Sequence, residues 1–189
     1  TTLFRSLRDL AKGKQKVVLV TSDHTRAVPS KITLPILLDE IRQGNPDADI
    51  TILIATGLHR PTTEEEQRRM FGDAIVDHEK IAINNAFDPD QFIHMGVLPS
   101  GADFNVNKLA AECDLLVTEG FIEPHFFAGF SGGRKSIRLA SAPRRPSTKT
   151  TATRPFPARM PTPACWSTTP SMRICWPLPR WSMSSSSSM

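Results

Sequence analysis

Apolar runs and polar loops alternate along the first two thirds of the chain. Lys16-Val17-Val18-Leu19-Val20-Thr21 is rich in β-branched residues, which predicts a strand buried on both faces. Ser22 to Ser30 is a polar turn containing Pro29. Ile32, Ile36, Leu37, Glu40 and Ile41 then run at helical spacing and predict a helix that ends near Gly44-Asn45-Pro46. Pro35 falls at about the first turn of that helix, where proline is tolerated. Asp49-Ile50-Thr51-Ile52-Leu53-Ile54-Ala55 predicts a second buried strand, followed by the loop Thr56-Gly57-Leu58-His59-Arg60-Pro61. Thr62 with Glu65 forms a capping-box pattern for a helix over 63–71. Lys80 to Ala86 reads as a strand, Asp88 to Asn105 as irregular and Asn107 to Cys113 as a helix. Asp114 to Thr118 reads as a further strand.

Strand, loop and helix follow one another repeatedly. That order argues an α/β fold with a largely parallel, Rossmann-like sheet flanked by helices. In such sheets ligands bind beyond the carboxyl ends of the strands. Three polar loops fall there: Ser22–Arg26, Thr56–Pro61 and Gly120–Ser136. Asp23, Arg26, His59, His125 and Lys135 are therefore expected to converge on one crevice.

Charge divides the chain in two. The net charge of +4 suggests an anionic partner, but all 19 acids lie within residues 1–137. Residues 138–189 carry arginine and lysine but no acid and no glycine, together with all 3 tryptophans. The basic excess thus belongs to an abnormal tail, and no nucleic-acid partner is inferred from it. No apolar run is long enough for a membrane span. Cys113, Cys165 and Cys175 do not suggest a disulfide framework, so a cytoplasmic, reducing setting is expected. Thr1-Thr2-Leu3 is not a signal peptide and reads as an interior starting point.

The tail admits two readings. One is a disordered Pro/Ser/Arg segment. The other is a frameshift, which its composition favours. With suitable synonymous codons, a displaced frame turns Ser171-Met172-Arg173-Ile174-Cys175-Trp176 into IHEDML. The same displacement turns Trp181 to Met189 into VDVKFIVN. Residues 1–137 are accordingly read as an α/β domain and 138–189 as a frameshifted, disordered tail.

Candidate chemistry concentrates in Glu123-Pro124-His125-Phe126-Phe127-Ala128-Gly129-Phe130-Ser131-Gly132-Gly133-Arg134-Lys135-Ser136. Imidazole suits proton transfer near neutral pH, and lysine can pair with an anion or join a cofactor. Gly132 and Gly133 let backbone N–H groups approach a ligand. The stretch from Gly129 nearly fits the phosphate-binding pattern G-x-x-x-x-G-K-[ST], but Arg134 stands where glycine is required. A phosphate- or nucleotide-binding module without catalysis is therefore the alternative reading. Asp23-His24-Thr25-Arg26 offers a carboxylate, a hydroxyl and a guanidinium in one turn, against the plainer reading of a capped turn with a solvated arginine. His24 is given a secondary role, His78 and His94 are read as surface residues, and Cys113 as core.

The three loop motifs, in this order and spacing, resemble the N-terminal domain of the nickel-pincer lactate racemase family. The resemblance covers about residues 5–137. It implies the N-terminal domain of a two-domain enzyme that racemises or epimerises 2-hydroxy acids by hydride transfer through a 2-keto acid. It implies a nicotinate-derived nickel pincer nucleotide attached at Lys135, held by Asp23, His24, Thr25, Arg26, Gly132 and Gly133. His59 and His125 would be the acid/base pair. Two departures stand out: Thr151 occupies the place of the family's nickel-binding histidine, and the C-terminal domain is missing. No metal ligand is assigned, and the chain as it stands is expected to be inactive.

Overall fold

The structure is a computed structural model and describes residues 5–97, 103–125, 129–132 and 136–137. Its centre is a four-stranded sheet in the order β3-β2-β1-β6, with every pair parallel. The strands are β1 (Lys16–Ser22), β2 (Asp49–Ala55), β3 (Lys80–Ile83) and β6 (Leu115–Thr118). Val20 pairs with Leu53 on one side and with Thr118 on the other. The expected α/β class and parallel sheet are both present. Strand β3 is shorter than the expected 80–86, and β6 begins at Leu115.

Alternation along the central strands makes two apolar layers. Val17, Leu19, Ile50, Ile52 and Ile54 face one side. There they pack with Ala11 of α1 (Leu7–Ala11), with Leu34, Leu38 and Ile41 of α2 (Ser30–Gly44), and with Phe71 of α3 (Glu64–Phe71). Ile75 of α4 (Asp73–His78) completes that layer. Val18, Val20, Leu53 and Ala55 face the other side, against Val106 and Ala110. This second side is covered by the antiparallel hairpin β4 (Phe92–Val97) and β5 (Asp103–Asn107) with the short α5 (Lys108–Ala111). A buried side chain of this kind contributes about 1.5–3 kcal/mol.

The structure corrects several details. The buried stripe of α2 is Ser30, Leu34, Leu38 and Ile41, whereas Ile32 and Ile36 are 67% and 60% exposed. The helix starts at Ser30, and the rotation this fixes turns those two isoleucines outward. Pro35 lies inside α2, beyond its first turn. The capping box is Thr63 with Glu66, one residue later than expected. Glu66 also grips Arg60 through both carboxylate oxygens.

Residues 88–105 are not irregular throughout. A short 3-10 turn (Pro89–Gln91) leads into β4, and a register shift between His94 and Gly96 breaks the alternation that would have marked the strand. The helix expected over 107–113 is confined to α5, with Asn107 as its N-cap. A two-residue pairing, β7 (Pro124–His125) with β8 (Gly129–Phe130), closes the described part. The tail assigned to 138–189 lies outside the described residues, as does Thr151.

Candidate active site

Because the strands are parallel, the segments after β1, β2 and β6 emerge at one edge, and each delivers a polar side chain there. Asp23 follows β1 directly and is 2% exposed. Its Oδ1 accepts the Thr25 backbone N–H at 3.1 Å and the Thr25 hydroxyl at 2.5 Å. Its Oδ2 lies 2.5 Å from His59 Nδ1. His59 comes from the loop after β2, where its N–H returns to the Thr56 carbonyl at 3.0 Å. Gly57 sits inside that turn at φ 58°, a conformation that side-chain-bearing residues rarely adopt. The His59 side chain is 51% exposed, so the carboxylate orients one ring nitrogen while the ring remains open to a ligand.

Against a carboxylate, which only accepts, a neutral His59 ring carries its hydrogen on Nδ1 and keeps the lone pair on Nε2. His24 does not share this role. Its Nδ1 lies 3.3 Å from Thr62 Oγ1 and 3.9 Å from Glu66 Oε2, under the start of α3. Two Arg60 hydrogen bonds, aided by the Thr63 N–H, hold the Glu66 carboxyl far below the usual carboxylate range. His24 is thus placed in the wall beneath the loop.

Arg26 turns toward the third segment. Its N–H bonds the Asp23 carbonyl at 3.1 Å, and its Nη1 donates to Glu123 Oε1 at 2.8 Å. Glu123 in turn is held by its backbone. Its N–H donates to Ser131 Oγ at 3.0 Å, and its carbonyl accepts the Ser131 N–H at 2.9 Å. Gly132 follows at φ 74°. A Cβ there would lie 3.0 Å from the Phe121 carbonyl oxygen, so the turn packs against 120–122 only as glycine.

Beneath these loops lies a group that the sequence pattern does not single out. Glu119 is 9% exposed and receives three hydroxyls: Thr21 at 2.7 Å, Thr33 at 2.6 Å, and Ser30. One carboxylate therefore joins the end of β1, the start of α2 and the end of β6. An acid immediately after an apolar strand was the only available signal. Glu123 likewise stood inside the singled-out segment with no partner to give it a role.

Of the expected crevice residues, Asp23 and His59 come together, and Arg26 reaches the third segment through Glu123. His125 has its backbone in β7, paired with Gly129, while its side chain lies outside the described residues. Gly133 and Lys135 also lie outside them. Among the described residues no group of three or more His, Cys, Asp or Glu is placed to hold a metal ion. None of their helices is long and apolar enough to cross a membrane. His78 ends α4, and His94 Nδ1 meets Asn105 Oδ1 at 3.0 Å on the exposed hairpin, so neither joins the site. A cavity of about 310 Å³ lined by Leu53, Asp90, Asn107 and Lys108 shares no lining residue with it.

Comparison with known proteins bears on this arrangement. Residues 3–149 match the family described as the lactate racemase N-terminal domain. The chain is 57% identical over 133 residues to a lactate racemase of Thermoanaerobacterium thermosaccharolyticum, covering 70% of this chain and 31% of that protein. It is 55% identical over 131 residues to a lactate racemase of Lactiplantibacillus plantarum, covering 69% of this chain and again 31% of the relative. The chain thus spans about a third of the length of these relatives. A solved lactate racemase apoprotein from T. thermosaccharolyticum superposes with a TM-score of 0.72 at 55% identity, over 74% of this chain and 33% of that one. A Thermotoga maritima protein superposes with a TM-score of 0.57 at 20% identity, over 72% of this chain and 37% of that one, a likeness of fold alone.

Proposed function

Since the chain belongs to the lactate racemase N-terminal domain family, we propose that it forms one wall of an active site that inverts a small 2-hydroxy acid. The observation that carries this reading is the Asp23–His59 pair, an oriented imidazole at the ligand-binding edge of the sheet. His59 Nε2 removes the proton of the substrate hydroxyl. Asp23 holds the opposite nitrogen and stabilises the charge the ring acquires. Arg26 binds the substrate carboxylate or a cofactor phosphate. A proton-transfer group so placed contributes on the order of 10²- to 10⁴-fold.

Inversion passes through a planar 2-keto acid, whose two faces are equivalent for return of the α-hydrogen. His125 is assigned as the acid and base for the opposite enantiomer. Lys135 would hold a nicotinate-derived nucleotide, which when bound would supply the acceptor for the α-hydrogen as hydride. The described residues fit the nucleotide's phosphate: Arg26 offers a guanidinium, and the turn at Gly132 leaves no room for a side chain. They do not fit nickel, since no ligand set is present among them and the hydroxyl of Thr151 is a poor donor for it. The site is completed by the part of the enzyme that corresponds to the remaining two thirds of the relatives' length, and it works in a reducing, cytoplasmic setting.

A graft tests it. Residues 5–137 replace the matching third of the T. thermosaccharolyticum racemase, and lactate inversion is followed by chiral chromatography. The graft is expected to be active and the free chain inactive. Loss of activity in both His59→Ala and His125→Ala grafts supports the assignment, whereas an unimpaired double variant overturns it. An inactive graft that binds phosphate saturably, without cofactor, would favour a phosphate-binding module.

A further inference from the structure

Two glutamates follow β6 and are held in opposite ways. Glu119 is buried and receives three hydroxyls from two other elements. Its role is architectural, and a ligand could replace none of those donors without unpacking the edge. Glu123 has its side chain 35% exposed and, among the described residues, pairs with the cation Arg26, itself 30% exposed. That pair is accessible to solvent and solutes. Its Coulomb attraction is correspondingly weak, of the order of an exchangeable surface pair.

The Glu123 backbone adds the consequence. Both its N–H and its carbonyl are bonded to Ser131, so the residue that neutralises Arg26 also fastens the open end of the β7–β8 pairing. The Ser131 hydroxyl is itself donated to the Phe121 carbonyl at 2.5 Å. Without ligand, the guanidinium is therefore occupied by a carboxylate of the chain itself. A small oxyanion offers the same acceptor geometry, two oxygens to a guanidinium fork.

We propose that Glu123 is a built-in competitor for the oxyanion that Arg26 binds: a ligand carboxylate or phosphate takes the guanidinium only by displacing Glu123, and so loosens the end of the β7–β8 pairing tied to Ser131. Glu123 is a positioning residue, acting on the ligand through Arg26. The inference rests on the reading of Arg26 as an anion-binding residue and adds what that residue does before the anion arrives. It sets an affinity threshold and couples anion arrival to the segment that carries His125.

The test uses the full 189-residue chain, isotopically labelled, at constant ionic strength. Lactate and, separately, inorganic phosphate are titrated while the Arg26 side-chain N–H signals and the Ser131 amide are followed by NMR. The tighter of the two arms identifies which oxyanion the site is built for. Glu123→Gln is expected to bind about two- to fivefold more tightly than wild type, the range an accessible ion pair can impose. Arg26→Gln is expected to lose binding. In wild type the Ser131 amide must move in step with Arg26. Equal affinities in wild type and Glu123→Gln overturn the competition and leave the reading of Arg26 intact. Absence of binding in both overturns the two together. Should Glu123→Gln fail to fold, the wild-type titration decides alone: an Arg26 shift without a Ser131 shift overturns the proposal.

Discussion

His59 presents Nδ1 to Asp23 Oδ2 at 2.5 Å, while the other oxygen of Asp23 is held by the Thr25 N–H and hydroxyl. The carboxylate is thereby locked before the imidazole meets it, and the ring can rotate only by breaking that contact. Asp23→Asn keeps the shape but offers an N–H where an acceptor stood. The expected outcome is the reversed His59 tautomer, with hydrogen on Nε2. Long-range ¹H–¹⁵N spectra of the chain will show it as an exchange of the two ring-nitrogen shifts. In the grafted enzyme kcat should fall on the order of 10²-fold or more, with KM little changed. An unaltered tautomer in Asp23→Asn would remove the orienting role from Asp23.

Glu119 should matter to stability through its neighbours. Glu119→Ala leaves the hydroxyls of Thr21 and Ser30 without their acceptor at a buried edge, whereas Thr33 keeps the Pro29 carbonyl at 3.2 Å. Each orphaned polar group costs about 1–3 kcal/mol, less where water enters the space. A loss of about 3 kcal/mol is expected from urea unfolding. Glu119→Gln should lose less, because its remaining carbonyl oxygen can still accept from Thr21 and Ser30. Equal losses in the two variants would contradict the hydroxyl account.

Acid should unfold the domain partly through Asp114 and Glu66. The backbone N–H groups of Lys16, at 2.9 Å, and Gln15, at 3.0 Å, hold the Asp114 carboxyl below its usual range. Arg60 and the Thr63 N–H do the same for Glu66. A folded-state pKa below the unfolded one means stability that is present above the unfolded value. It is lost as pH falls through the unfolded value toward the folded one. Asp114→Asn and Glu66→Gln should each lower stability at pH 7 and flatten its decline below about pH 4. Stability measured between pH 7 and pH 3 checks this, and parallel curves for variant and wild type would refute it.

The central sheet was readable because β1 and β2 are continuous β-branched runs that no helix pattern imitates. Asp23 and His59 were readable for a related reason: each lies just past such a run, and a parallel sheet gathers those positions. Other features had no local trace. The register shift at His94 and Gly96 interrupts the alternation of β4, so the hairpin read as loop. The outward face of α2 could not be told from the inward one, since Ile32 and Ile36 are as apolar as Leu34 and Leu38. The Arg26–Glu123 bond and the Glu119 cluster join segments far apart in sequence, and only tertiary structure pairs them.

Cys113 should be a slow nucleophile. Burial pushes its thiol up to about 11, and Sγ donates to the Ala110 carbonyl at 3.4 Å. At pH 8 the thiolate is then roughly one part in a thousand, against about a quarter for a free cysteine. Alkylation by iodoacetamide, followed on the peptide containing Cys113, should quicken about tenfold per pH unit through pH 10. A rate near that of free cysteine at pH 8 would show that the site opens.

Gly44 offers a test of how α1 is held to α2. A Cβ built there would collide with the Arg8 carbonyl oxygen and lie 2.9 Å from the Ala11 side chain. The first neighbour is backbone, which cannot rotate away as a flexible side chain could. Gly44→Ala must therefore push α1 outward and disturb the packing of Ala11 against Leu38 and Ile41. Such overpacking costs about 1–3 kcal/mol. The Arg8–Glu40 ion pair at 3.0 Å, which spans the two helices, should be lost with it, though that exposed pair adds little by itself. Because α1 lies at the opposite end of the sheet from Asp23 and His59, the variant should keep the His59 tautomer while its unfolding midpoint drops. A midpoint equal to that of wild type would mean that α1 does not pack against α2 in solution, and the first-layer core would then end at α2.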